Sequence, residues 1–89
     1  MGKPTKRDRL FAALRFALTD YPKIEIYEQE STMHLRLKGR HMRLRVTQYG
    51  GAPYIEAAVH HPEEVRLLAI VVGVVEAVGK PQDAPDAAQ

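Results

Sequence analysis

Between residues 23 and 59 the chain alternates apolar and polar side chains in four short segments. They read Lys23-Ile24-Glu25-Ile26-Tyr27-Glu28, Met33-His34-Leu35-Arg36-Leu37-Lys38, Met42-Arg43-Leu44-Arg45-Val46-Thr47 and Tyr54-Ile55-Glu56-Ala57-Ala58-Val59. Side chains of a β-strand point alternately to opposite faces, so this period of two describes strands with one face buried and one in water. An antiparallel sheet tolerates that arrangement. The segments are separated by turn-forming residues: Glu30-Ser31, Gly39-Arg40 and Gly50-Gly51-Ala52-Pro53. Short turns join neighbouring antiparallel strands, so a four-stranded meander is the simplest topology.

Helical patterns flank the strands. Thr5 is a candidate N-cap with Asp8 three residues on, and Leu10, Phe11, Leu14, Ala17, Leu18 and Tyr21 follow at helical spacing. Pro22 disfavours helical geometry at Tyr21, which places a first helix over 5–20. A second helix is predicted over 62–78. Pro62 suits its first turn, Glu63 and Glu64 suit its positive end, and Gly79 and Pro81 suit its stop. The β-branched run Ile70 to Val75 would also fit a buried strand, but length and end signals favour a helix. The predicted fold is therefore α+β, a two-layer sandwich ordered helix, four-stranded antiparallel meander, helix. Its inward faces are Ile24, Ile26, Met33, Leu35, Leu37, Met42, Leu44, Val46, Ile55, Ala57 and Val59. Residues 5–79 read as a single domain, with a flexible arm at 1–4 and a disordered tail at 80–89.

Several chemistries lack their residues. The 89-residue chain has no Cys, which removes disulfides, thiolate zinc sites and a cysteine nucleophile. Ser31 is the only serine and lies in a turn, so a serine triad has little support. Gly73 to Lys80 has the wrong glycine spacing for a phosphate loop, lacks the following Ser or Thr, and falls at a helix end. No cofactor motif is present, and the acids sit on solvated strand positions. A non-enzymatic role is expected. No apolar leader or membrane-length run occurs, since Leu67 to Val75 is far short of the roughly 20 residues a span needs. These observations set the expectation of a soluble, cytoplasmic protein without membrane contact. Helix–strands–helix order with basic residues invites comparison with double-stranded RNA-binding domains. Those have three strands and a lysine-rich start to the last helix, whereas this chain has four segments and reads Pro62-Glu63-Glu64; none of that family's residues is carried over.

The formal net charge is only +2, but it is unevenly spread. Residues 1–48 carry eleven Lys and Arg against five acids, and residues 49–89 carry two against six. The stretch from His34 to Arg45 holds Arg36, Lys38, Arg40, Arg43 and Arg45 and no acid. A two-residue Gly39-Arg40 turn would set Lys38 opposite His41, Arg36 opposite Arg43 and His34 opposite Arg45. Like charges facing each other weaken a sheet unless acids on adjacent strands complete a ladder, and Glu25 and Glu56 are placed to do so. The functional reading is a basic sheet face for an anionic partner, nucleic acid first, with Tyr27 and Tyr54 available for stacking. The competing reading is an adaptor or inhibitor that engages an acidic protein. Lys6, Arg7 and Arg9 would add to the basic face only if the helix start lies near that edge.

Two further features invite partners. The apolar arc of the last helix spans more than one sheet-covering face needs. Either the first helix takes the excess, or two copies form a homodimer through Leu67, Val71, Val74 and Val78, with Ala69, Gly73 and Ala77 as a small-residue strip and Phe16 extending the surface. The same strand register sets His41 opposite His60, a geometry open to a metal or a pH switch. No third ligand is placed beside them, so no metal site is assigned.

Overall fold

The computed structural model describes residues 5–79, and the expected arm at 1–4 and tail at 80–89 lie outside the described residues. Helix α1 spans Lys6–Ala17, strands β1 to β4 span Ile24–Gln29, Thr32–Leu37, Arg43–Thr47 and Tyr54–Ala58, and helix α2 spans Pro62–Gly79. The sheet order is β1-β2-β3-β4, an antiparallel meander. The predicted element order and α+β class are those observed.

α1 starts where its cap chemistry places it. Thr5 Oγ1 accepts the Asp8 N–H and Asp8 Oδ2 accepts the Thr5 N–H, both at 3.1 Å, so two helix-terminal donors are satisfied reciprocally. The helix is shorter than the expected 5–20. Beyond Ala17 the Leu18, Thr19 and Tyr21 amides bond the carbonyls of Leu14, Phe16 and Leu18, and the Thr19 hydroxyl bonds the Arg15 carbonyl at 2.9 Å. A turn thus closes the helix before Pro22. Leu18 stays buried in that turn, so the hydrophobic pattern outlasts the helix, whereas Ala17, expected on the apolar face, is exposed.

Leu10, Phe11 and Leu14 of α1 and Leu67 and Val71 of α2 meet Met33, Leu35, Leu37, Leu44 and Val46 in one core. The last five all project from one face of β2 and β3, as the alternation requires. Ile24, Ile26, Met42 and Ile55 pack at its margin, while Ala57, expected inside, is exposed on edge strand β4. α1 lies against α2 and so takes part of the wide apolar arc. Leu67 and Val71 have no exposed surface, which makes them core residues of the chain rather than contacts offered to a partner.

The loops are fixed by specific bonds. The β1–β2 turn is the two-residue Glu30-Ser31 link, closed by Gln29 opposite Thr32, and Glu30 takes a φ of +55° without being glycine. The β3–β4 loop is organised by the buried Gln48, whose Nε2 donates to the carbonyls of Gly50 and Gly51 while its backbone N–H bonds the Ser31 carbonyl at 3.0 Å. Gly50 supplies the positive φ this loop needs.

The β2–β3 connection departs from the expected two-residue hairpin. The anticipated register holds for His34–Arg45, but the ladder stops at Leu35–Leu44 and β3 begins only at Arg43. Lys38 and His41 are therefore not a ladder pair, and Arg36 and Arg43 occupy the first outward position beyond it. The chain turns within the loop, where the Arg40 N–H bonds the Leu37 carbonyl at 3.0 Å, and the Arg40 guanidinium points away from the sheet to bond Glu63 at 2.8 Å and Glu64 at 3.3 Å at the start of α2.

Candidate functional site

The strand registers arrange the outer sheet face in three rows. Glu25, Arg36 and, beyond the β2–β3 ladder, Arg43 and Ala58 form one. Tyr27, His34, Arg45 and Glu56 form the second, and Gln29, Thr32, Thr47 and Tyr54 the third. Both helices contribute to the core on the opposite face, so this one carries polar and aromatic side chains. A hollow of about 390 Å³ opens on it, lined among others by Tyr27, His34, Arg36, Arg43 and Arg45.

Its charges are largely matched. Arg36 donates Nε and Nη2 to Glu25 Oε1 at 3.1 and 2.7 Å. Arg45 donates Nη2 to Glu56 Oε1, leaving its buried Nε without a hydrogen-bond partner among the described residues. Arg43 Nη1 lies 4.0 Å from Glu56 Oε2, an ion pair too long for a hydrogen bond. The ladder foreseen through Glu25 and Glu56 is therefore present, and it leaves three arginines against two carboxylates. Exposed pairs of this kind contribute about 0–1 kcal/mol each, so the face is held in shape more by the core beneath than by its charges.

The aromatic groups stand on the same face. The Tyr27 ring packs beside the His34 imidazole, centroids 5.6 Å apart and tilted 45°. Tyr54 is exposed at the end of the third row, and Thr32 and Thr47 join hydroxyls at 3.0 Å between it and Gln29. Tyr49, in the neighbouring loop, is 82% exposed and was not foreseen, since a single tyrosine in a turn carries no periodic signal.

Other predicted residues are distributed differently. Lys38 is exposed in the β2–β3 loop, off the ordered rows. Arg40 is occupied by Glu63 and Glu64 and does not belong to the outer face. Arg7 bonds the Ser31 hydroxyl at 3.2 Å and so ties α1 to the β1–β2 turn, while Arg15 pairs with Glu28 at 2.6 Å. Val74 and Val78 are half-buried against the core, and Phe16 is 83% exposed. His41 and His60 line one hollow together, but no group of three or more potential metal ligands occurs among the described residues.

Glu64 was expected only as an acid at a helix start, and it does more. Its carboxylate is 1% exposed and accepts the backbone N–H groups of His60 at 2.9 Å and His61 at 3.3 Å. The N–H of His60 is the main reason its carboxyl is held below the usual 4.5; burial opposes the shift, and the His61 amide, then the charges of His61 and Arg40, reinforce it. The carboxylate locks the loop–helix corner from which Arg40 and the histidines project. The signal was available in the sequence, because a Glu three residues after the N-cap position, here His61, reaches back to the N-cap backbone N–H.

No protein-family model matches the chain, and comparison with curated proteins and with solved structures finds no match either. No helix among the described residues is long and apolar enough to cross a membrane.

Proposed function

We propose that the protein is a non-enzymatic binding module that takes a nucleic acid, in single-stranded form, on the outer face of its sheet. The observation that carries this reading is the composition of that one uncovered face. Tyr27, His34 and Tyr54 share it with Arg36, Arg43 and Arg45, and Arg43 and the Arg45 Nε have donors to spare. Exposed rings stack unpaired bases, and guanidinium groups meet phosphates, which together favour single strands over a duplex.

Titration of labelled single-stranded and duplex oligonucleotides at two salt concentrations tests it. Salt-dependent binding that prefers single strands is expected, with Arg43→Ala lowering the salt slope by about one. Absence of salt-dependent binding overturns the reading. The second reading is then an acidic protein partner, favoured by the matching of Arg36 and Arg45 to Glu25 and Glu56, since a face of alternating charge suits a partner of mixed polarity.

Self-association through α2 belongs to the same proposal. Val65 is half exposed beside Ala69, Gly73 and Ala77, and Arg66 and Glu76 give this face one charge of each sign toward opposite ends. In an antiparallel pair of α2 helices each arginine would meet the partner's glutamate. Sedimentation as a dimer at micromolar concentration is the expected result, and a monomer at that concentration removes it.

A further inference from the structure

A second hollow, of about 350 Å³, lies where the β2–β3 loop meets the β4–α2 connection. Arg36, Arg40, His41, Arg43 and His60 line it together with Met42 and Ala58, and no carboxylate does. Its carboxylates stand behind the arginines. Glu25 holds Arg36, Glu63 and Glu64 hold Arg40, and Glu56 bonds Arg45 while lying 4.0 Å from Arg43. The four arginines are thus matched by four acids, and the ammonium of Lys38 is the one further positive charge in the loop while the imidazoles are neutral. Lys38 lies in the same loop without lining the hollow, and His61 sits beside Glu64 at the helix start. Protonating His41 and His60 adds two positive charges to a lining that already presents the guanidinium N–H groups of Arg43, none of them hydrogen-bonded among the described residues.

We propose that this corner is a proton-gated site for a tetrahedral oxyanion, the phosphate monoester at the end of a nucleic-acid strand; the strand-end assignment rests on the sheet-face reading above. The gate follows from charge. Each of His41 and His60 that takes up a proton adds one positive charge to the lining of this hollow. The oxyanion is then met by charge-assisted N–H donors from Arg43 and both imidazoles. Linkage makes the effect reciprocal, so the bound anion raises the proton affinity of the histidines and binding takes up protons. The site adjoins the outer face, since Arg36 and Arg43 line both hollows. A strand lying on the sheet would bring its terminal phosphate to this edge.

Sulfate is the first probe, because it keeps its double charge throughout the range in which imidazole titrates. Calorimetric titration of the full chain should give about tenfold tighter sulfate binding near pH 5.5 than near pH 8, within the usual range of coupling between two bound species. The double variant His41→Asn with His60→Asn should bring that ratio to about one while its circular dichroism stays that of the parent. If the double variant misfolds, imidazole proton shifts in the unmodified protein supply the same answer, because sulfate must raise the pKa values of both rings. Undetectable sulfate binding, equal binding at the two pH values, or a pH dependence that survives loss of both histidines overturns the gate. The second arm compares a 5′-phosphorylated single strand with its 5′-hydroxyl twin. A preference for the phosphorylated strand, present near pH 5.5 and lost near pH 8, is expected. Equal affinity for both strands overturns the strand-end assignment while leaving the sheet-face reading intact. Gated sulfate binding with no oligonucleotide binding overturns the sheet-face reading and the strand-end assignment with it. Oligonucleotide binding without gated sulfate binding overturns the gate alone.

Discussion

The two faces of the same four strands obey different rules. On the inner face Met33, Leu35, Leu37, Leu44 and Val46 are all buried, and two helices supply Leu10, Leu14, Leu67 and Val71 to fill the space between layers. On the outer face the alternate residues of the same strands, His34, Arg36, Arg43, Arg45 and Thr47, stay partly or wholly in water and arrange themselves by charge and hydrogen bonding. Burial of apolar area is strong and insensitive to direction, whereas surface ion pairs are weak and directional. One face therefore holds the fold together, and the other can change its side chains at little cost to stability. This is the face on which a binding function can be built.

Substitutions at matched positions should expose that division. Leu44→Ala on the inner face removes buried methyl groups and leaves a cavity, so it should cost about 2–5 kcal/mol by urea unfolding. A loss below about 1 kcal/mol would mean that the layers are not packed against each other at Leu44.

Glu64 is the point at which the two rules meet, a buried carboxylate beneath a charged corner. Glu64→Gln should lower the melting temperature at neutral pH, by less than Leu44→Ala, because the amide oxygen still accepts both backbone N–H groups at the Oε1 position but the acceptor for Arg40 at Oε2 and the charge are lost. The sign of its pH dependence follows from the lowered carboxyl. The stabilisation is present above the ordinary value of 4.5 and is lost as pH falls through the lower folded value. The gap in melting temperature between parent and variant should hold above pH 4.5 and close below it. A gap unchanged into strong acid would show that the ionised form contributes nothing.

Arg36→Ala is the smallest expected change. It removes an exposed pair with Glu25, and unfolding should shift by no more than about 1 kcal/mol, measured in the same denaturant series as Leu44→Ala. A larger loss would make the outer face a structural element in its own right and blur the contrast with the inner one.

Much of this contrast was readable in the alternation. A side-chain period of two assigns residues to faces once a register is known, and the turn residues supplied a register that holds for Tyr27–His34, His34–Arg45 and Arg45–Glu56. The pairing of Glu25 with Arg36 and of Glu56 with Arg45 followed from it. The failures have a common physical origin. Arg40 was placed on the basic face because it follows Arg36 and Lys38 along the chain, but its guanidinium meets Glu63 and Glu64, more than twenty residues away. Leu67 and Val71 read as possible partner contacts because an apolar helix does not disclose which neighbour buries it; here α1 and the sheet do. Gln48 gave no signal, since its role depends on carbonyls that converge only once the loop has closed.

Local and periodic information thus sufficed for what depends on near neighbours: the Thr5 cap, the four strands, their order and the sorting of side chains between two faces. Steric alternation and short-range hydrogen bonding act over a few residues and are written in the order of the amino acids. The packing of α1 against α2, the withdrawal of Arg40 from the sheet and the burial of Glu64 depend on contacts between segments far apart in the chain. Such contacts are selected by shape and by the need to satisfy buried polar groups, and those demands arise only when the layers close on each other.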